Sequence, residues 1–212
     1  MQEMKGRLVG LTGRAGSGKD TVADILVLDH GWVKIALADP MKRACAEWFG
    51  WGVETLWGPS AARNEPHAKL GGLSARKALQ ILGTEFGRAC YQDVWVDYAM
   101  RIAGLLLIGD KYRRHSYTAH LGLFDRGEGA GAHDDLIQGV VISDVRFPNE
   151  VNALRAAGGI IWKTVHGSGL AGAAGMHESE RHIDSLEVDA VVPDGTLEAL
   201  PAIITTMLHE VR

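Results

Sequence analysis

Cysteine is scarce in this chain: its two copies, Cys45 and Cys90, lie far apart and form neither a CxxC pair nor a Cys/His cluster. That excludes a disulfide framework and a zinc site, and reduced, buried thiols are expected. Positive charge is not in excess either. Lys and Arg number 22 against 26 Asp and Glu, a net charge of −4, so the broad basic footprint of a nucleic-acid binder is missing and only local patches such as Arg113-Arg114 remain. Long apolar runs are also absent. Gly104–Ile108 is far too short to span a bilayer, and Met1–Arg7 leads into the first strand without a secretory apolar region, so a soluble, cytoplasmic protein with no membrane partner is expected. His177 and His182 enclose Glu178 and Glu180, but the H-E-x-x-H metal spacing is not there and positions i and i+5 do not share a helix face. A helix start or a mobile cover, with Arg181 able to reach an anion, suits that stretch better. No Ser-His-Asp or Cys-His arrangement supports acyl hydrolysis, and no internal repeat is visible.

What the chain does have is a short apolar run, Leu8-Val9-Gly10-Leu11, leading into the Gly-rich segment Gly13-Arg14-Ala15-Gly16-Ser17-Gly18-Lys19-Asp20-Thr21. This is the G-x-x-x-x-G-K pattern of a phosphate-binding loop. Gly13, Gly16 and Gly18 let successive N–H groups turn inward, Lys19 supplies a point charge for the β- and γ-phosphates, and the helix opening near Lys19 adds its positive end. A bound nucleoside triphosphate follows. The usual pattern puts Ser or Thr after the lysine to hold Mg²⁺; here Asp20 stands there, followed by Thr21, and either could serve the metal.

With 212 residues, 46% hydrophobic and 23% charged, the chain is long enough for one well-packed α/β domain with a small insertion. The patterning places a strand at about 7–12, a helix at about 19–29, and a second strand at Trp32–Leu37. A helix follows at about 40–49, then a loop-rich polar segment at 50–73 ending at Ser74, a plausible cap. Further helices are expected at about 74–88, with Leu79, Leu82 and Phe86 inward, and at about 93–103. Residues 109–137, with the flexible run Gly127–Gly131, read as an insertion or mobile loop. Gly139–Asp144 is a buried parallel strand ending in an acid, Pro148 opens a helix closed by Gly158-Gly159, and Ile160–Val165 is another strand. Beyond Gly167–Gly175, a helix near Glu178, a strand at Val188–Val192 and a helix at Leu197–Leu208 complete the pattern.

Ligands of open α/β sheets collect at the carboxyl ends of the strands, which directs attention to a few residues. Asp144 could orient Mg²⁺ and Arg146 could clamp a phosphate bidentately, unless the two merely pair with each other. Asp39 could guide an acceptor oxygen or bind a sugar hydroxyl, or simply cap the helix that starts at Pro40. Lys42 and Arg43 oppose the dipole of that helix start, which hints at a ligand. Arg14 could touch the phosphates or point to solvent; Arg63, Arg76 and Arg88 sit where a helical insertion could cover an acceptor. Asn149 and Glu150 could hydrogen-bond a base or sugar edge or be merely solvated. Trp51, Trp57 and Trp95 could stack on a base or pack in a core.

Taken together, Gly-Lys-Asp-Thr at 18–21, Ala-Asp-Pro-Met-Lys at 38–42, Gly-Pro-Ser…Arg-Asn at 58–64, Leu-Gln-Ile-Leu-Gly-Thr-Glu-Phe-Gly-Arg at 79–88, Asp-Val-Trp-Val at 93–96, Ser-Asp-Val-Arg-Phe-Pro-Asn-Glu at 143–150, His-Glu-Ser-Glu at 177–180 and Asp-Gly-Thr-Leu-Glu-Ala-Leu at 194–200 resemble the bacteriophage deoxynucleoside monophosphate kinases. The likeness extends over most of the chain. It implies a three-layer α/β phosphate-loop kinase fold with a parallel sheet, formed as a single domain over 1–212. Within it, a helical acceptor-binding region is implied at about 40–103 and a variable region at about 104–138. It implies transfer of the ATP γ-phosphate to a dNMP with Mg²⁺, giving dNDP for phage DNA synthesis in the infected cell, and it leaves a homodimer open. Lys19, Arg146, Asp144 and Arg14 are then the catalytic candidates. Asp39, Lys42, Arg63, Arg76, Gln80, Arg88, Trp95, Arg146, Asn149 and Glu150 are candidates for the acceptor, and Asp20, Thr21 and Asp144 for the metal. Asp20 becomes a family feature under this likeness. A dephospho-coenzyme A kinase-like enzyme or a nucleotide-binding regulatory ATPase are the competing readings.

Overall fold

The computed structural model describes residues 7–107, 137–165 and 182–211. The expectations for Arg113-Arg114, Gly127–Gly131, Gly167–Gly175, His177, Glu178, Glu180 and Arg181 lie outside those residues. The chain divides into two compact units, one comprising Met1–Ile35 and Ala99–Arg212, the other Ala36–Tyr98.

The first unit is built on a sheet in the order β2-β5-β1-β6-β7, formed by β1 (Leu8–Thr12), β2 (Trp32–Ala36), β5 (Gly139–Ser143), β6 (Ile160–Thr164) and β7 (Ala190–Val192). β1 runs parallel to both β5 and β6, and β6 parallel to β7. Strands buried on both faces need apolar residues throughout, and β1 and β5 are buried along their whole length. On one face, helix α1 (Lys19–His30) contributes Val22, Ala23 and Leu26, and the C-terminal helix α8 (Leu200–Val211) contributes Leu200, Ile204 and Leu208. These pack on Val9, Leu11, Val141, Trp162 and Val192. Helix α7 (Pro148–Ala156) covers the opposite face. Gly10 permits its close approach: a Cβ there would lie 2.8 Å from Leu154 Cδ1 and 2.9 Å from Ile161 Cδ1. A parallel sheet between helical layers is the expected architecture.

The second unit is helical. Its α2 (Asp39–Phe49), α3 (Val53–Trp57), α4 (Ser60–Asn64) and α5 (Ala75–Gln80) surround a small core of Cys45, Trp51, Leu56, Ala75 and Ala78. Several findings differ from the sequence expectation. The segment 50–73 holds the short helices α3 and α4 and one strand of a small antiparallel hairpin, β3 (Pro66–His67) with β4 (Leu73–Ser74), because Trp51 and Leu56 supply enough apolar surface to order it. The helix expected at about 74–88 is α-helical only to Gln80 and continues as a π-helix over Ile81–Arg88. Wider turns rotate its outer face, and Phe86, expected inside, is 60% exposed. Ser74 does cap: its hydroxyl accepts the Lys77 N–H at 3.3 Å. Helix α6 (Val94–Leu107) runs four residues beyond the expected end at 103, its apolar stripe continuing through Ala103, Leu106 and Leu107. Of the cysteines, Cys45 is buried as expected; Cys90 is exposed, at the end of the helical stretch that continues the π-helix.

Candidate active site

Three adjacent parallel strands, β5, β1 and β6, present their carboxyl ends side by side, and the sequence places chemistry at each. β1 runs into the phosphate loop, where Gly13, Gly16 and Gly18 take φ values of 146°, 81° and 87°. Such angles favour glycine, and at Gly13 space demands it as well. A Cβ there would lie 2.5 Å from both Ser17 Oγ and Thr164 Oγ1. Ser17 and Thr164 are buried, their hydroxyls 2.7 Å apart, and Thr164 Oγ1 donates to Thr12 O at 3.3 Å, so the end of β6 braces the loop. Ala15 lies half-buried in the turn between them, where Ser17 N–H donates to Arg14 O at 3.1 Å.

Lys19 opens α1 and is only 7% exposed. Its ammonium donates to Gly13 O at 2.7 Å and Arg14 O at 2.8 Å, and lies 3.7 Å from Asp144 Oδ1. Asp144, the residue after β5, has φ 65°, the one non-glycine residue with positive φ among the described residues. Aspartate tolerates this conformation better than most side chains, and it turns the carboxylate toward the loop lysine. The Arg146 guanidinium lies 3.3 Å from the same Oδ1. Lys19, Asp144 and Arg146 therefore form a cation–anion–cation array at the strand edge, in which Asp144 and Arg146 pair with each other, the plainer of the two readings their sequence positions allow.

The remaining loop residues are arranged differently from expectation. Arg14 pairs with Asp184, whose second cation is Lys163 on β6, 3.3 Å away. Hydrogen bonding from Arg14, aided by Lys163, holds the Asp184 carboxyl below its usual range. Asp20, a candidate metal ligand, accepts the Lys34 ammonium at Oδ1, 2.7 Å away, and is 79% exposed. This ion pair engages one carboxylate oxygen of Asp20, one of the two alternatives for the metal; the other, Thr21, stands half-buried in the first turn of α1. Glu150 also has a different task. It is 3% exposed, and its Oε2 accepts the N–H groups of Arg146 at 2.8 Å and Phe147 at 3.1 Å, a reach back across the N-terminus of α7. A buried carboxylate spent on its own helix start is a support for Arg146 rather than a reader of base or sugar. Asn149 is half-buried beside it.

In the helical unit, Asp39 does not cap α2. Its Oδ2 accepts Ala36 N–H and its Oδ1 accepts Trp57 Nε1–H, each at 3.2 Å, because the helix already begins at Asp39 and the carboxylate turns back. Lys42 Nζ lies 3.8 Å from that Oδ1 and 5.5 Å from the Trp57 ring centroid. Arg63 donates to Gly58 O at 2.7 Å and to Ser60 Oγ at 3.3 Å, and Arg76 Nε donates to Asn64 Oδ1 at 2.6 Å. Trp95 Nε1 donates to Gly83 O at 2.9 Å, and its ring lies over Gly87, where a Cβ would come within 2.3 Å of Cζ2. Gln80 and Arg88 are half-buried at the two limits of the π-helix. Trp51 is a core residue, 6% exposed.

Sequence reading missed Lys34, Thr164 and Asp184. The first two carried a signal: a lysine within the apolar run of β2, and a threonine at the carboxyl end of β6, as Asp144 lies just past the carboxyl end of β5. Asp184 carried none. Among the described residues no group of three or more His, Cys, Asp or Glu is gathered to hold a metal. The oxygen donors nearest the loop lysine suit a hard cation held jointly with phosphates, since Asp144 is a single carboxylate at the strand edge. The loop itself suits a polyphosphate: its glycines hold positive φ values and it runs directly into the N-terminus of α1 at Lys19.

No protein-family model matches the chain. Among solved structures, shikimate kinase from Aquifex aeolicus aligns with 96% of each chain at 14% identity and a TM-score of 0.48. The protein TT1252 from Thermus thermophilus aligns with 97% of this chain and 98% of its own at 15% identity and a TM-score of 0.43. Both are too distant to bear on function. A protein of Acanthamoeba polyphaga mimivirus named "Putative deoxynucleotide monophosphate kinase" is 32% identical over 185 residues, which is 85% of this chain and 83% of that protein. With that relationship, and with a phosphate loop formed as its sequence requires, the chain belongs to the deoxynucleotide monophosphate kinase family and is a phosphotransferase.

Proposed function

We propose that the protein transfers the γ-phosphate of ATP to the 5′-phosphate of a deoxynucleoside monophosphate, giving dNDP and ADP with Mg²⁺ present. The observation that carries this reading is the Lys19–Asp144–Arg146 array beside the phosphate loop, with Lys19 Nζ 3.7 Å and Arg146 3.3 Å from one Asp144 oxygen. Both substrates are anions and the acceptor phosphate is ionised at neutral pH, so the reaction asks for alignment and charge neutralisation rather than a strong base. Lys19 would meet the donor phosphates, leaving the loop carbonyls for them, and Arg146 would grip the acceptor phosphate. Arg14, released from Asp184, would add charge on the donor side. Asp144 would hold Mg²⁺, which neutralises and aligns the donor phosphates, with Thr21, two residues past the loop lysine, as a further ligand.

Acceptor recognition we assign to the helical region at about 40–103, on Asp39, Lys42, Arg63, Arg76, Gln80, Arg88 and Trp95, with Asn149 near Arg146 in sequence. The mimivirus relative's name supports the deoxynucleotide as acceptor, and the product would feed DNA synthesis, in an infected cell if the chain is viral. Incubation with ATP, Mg²⁺ and each of dAMP, dGMP, dTMP and dCMP separately, followed by product analysis, tests it. Conversion of one or more to the diphosphate, lost in Lys19→Ala, is expected; no conversion of any would overturn the acceptor.

A further inference from the structure

The acid after the loop lysine poses an electrostatic problem. Asp20 lies in the first turn of α1, next to Lys19, where the helix end and the lysine together make the positive field that a triphosphate needs. An uncompensated carboxylate there subtracts from that field. The structure supplies a compensating charge from a neighbouring strand: Lys34, in the middle of β2, reaches out to α1 with its ammonium 2.7 Å from Asp20 Oδ1 and 3.5 Å from Asp24 Oδ1, one helical turn further on. The lysine side chain is 26% exposed, while Asp20 is 79% exposed. A lysine inside an otherwise apolar strand, Trp32-Val33-Lys34-Ile35-Ala36, carries an entropic and desolvation cost that the strand alone does not repay.

We propose that Lys34 is a positioning residue for nucleotide binding: it holds the Asp20 carboxylate to the side of α1 and cancels its charge, so that the phosphate loop keeps its affinity for a triphosphate despite the acid that follows Lys19. The effect rests on the kinase reading in one respect, that the loop takes ATP.

The test is calorimetric titration with the non-hydrolysable ATP analogue AMP-PNP, with and without Mg²⁺, backed by thermal unfolding of each variant. Lys34→Ala is expected to weaken binding about three- to ten-fold, as uncovering one charge near a polyanion at partly screened range would. Lys34→Arg should retain affinity. Adding Asp20→Asn to Lys34→Ala should restore most of the loss, whereas adding Asp24→Asn should restore less, since Asp24 is a turn further from the loop. Weakening should be larger at low salt. Lys34→Ala with wild-type affinity, or a loss that Asp20→Asn fails to relieve, would overturn the proposal. So would equal relief from Asp24→Asn, which would mean that only the general charge of α1 matters. Wild-type protein that bound AMP-PNP but phosphorylated no dNMP would overturn the acceptor assignment and leave the role of Lys34 to be decided by the same titrations. Wild-type protein that bound no AMP-PNP would overturn both.

Discussion

The hydroxyls of Ser17 and Thr164 lie 2.7 Å apart in a buried position, 147 residues apart in the chain, and join the phosphate loop to the end of β6. The loop is thus held from a neighbouring strand as well as by its own glycines. Thr164→Val keeps the shape but leaves Ser17 without this partner. About 1–2 kcal/mol of stability should be lost, read as a shift in the urea midpoint at unchanged m-value. Gly13→Ala should cost more, about 2–4 kcal/mol, because a φ of 146° and a Cβ 2.5 Å from both hydroxyls cannot be relieved by a single side-chain movement.

The array at the strand edge separates donor from acceptor effects. Lys19→Ala should lower turnover at least about a hundred-fold, because its charge is most useful when phosphate charge is moving. Arg146→Ala should chiefly raise KM for the dNMP while ATP binding is kept. Steady-state kinetics varying each substrate in turn distinguish the two, and an Arg146→Ala enzyme with unchanged kcat and KM for every dNMP would remove Arg146 from the acceptor site.

Glu150 makes a different kind of prediction. Its buried carboxylate accepts two backbone N–H groups, one of them from Arg146 itself. Glu150→Ala leaves both donors without that acceptor and should cost about 1–3 kcal/mol. The same change should raise KM for the acceptor through Arg146, while Glu150→Gln, which keeps an oxygen at that position, should recover most of the stability. A KM unaffected in a folded Glu150→Ala protein would show that the α7 start does not govern Arg146.

Thiol reactivity gives an independent check on the helical unit. Cys45 is fully buried and burial pushes its pKa up to about 11, whereas Cys90 is exposed. Native protein at pH 8 should therefore label rapidly at one cysteine, and the second should react only on unfolding. Rapid labelling of both, followed by mass spectrometry, would show that the core around Trp51 and Leu56 opens readily.

Much of the architecture is legible in the sequence because β1 and β5 are short, largely apolar runs buried along their length, and because glycines mark where helices stop: Gly31 and Gly50 take left-handed conformations at the ends of α1 and α2. The loop and the pair Asp144 and Arg146 are legible for a similar reason, since chemistry confined to consecutive residues after a strand keeps its spacing. What was not legible depends on partners distant in the chain. The ion pairs of Asp20 with Lys34 and Arg14 with Asp184 cross from one element to another, and nothing in the order of residues fixes them. The π-helix is of the same kind: the region of Gly83 and Gly87 accommodates a tryptophan more than seven residues ahead, which a helical periodicity count does not see.

Asp184 links the loop to pH. Its carboxyl is held below the usual aspartate range, first by the hydrogen bond from Arg14 and then by Lys163. A depressed folded-state value means that the ionised group favours the folded protein: its contribution is fully present above the ordinary carboxylate range and is lost as pH falls through the lowered value. Asp184→Asn should therefore unfold at a lower temperature than wild type near neutral pH, and the difference should close as both are taken below about pH 4. The gap should be small, because the side chains of Arg14 and Asp184 are 60% and 55% exposed and solvent screens their attraction. It should shrink further at high salt. The same variant frees Arg14 at neutral pH, so titration with AMP-PNP decides what the pair does for the site. Tighter binding in Asp184→Asn would mean that the acid holds Arg14 away from the phosphates, and weaker binding that it holds Arg14 in place for them.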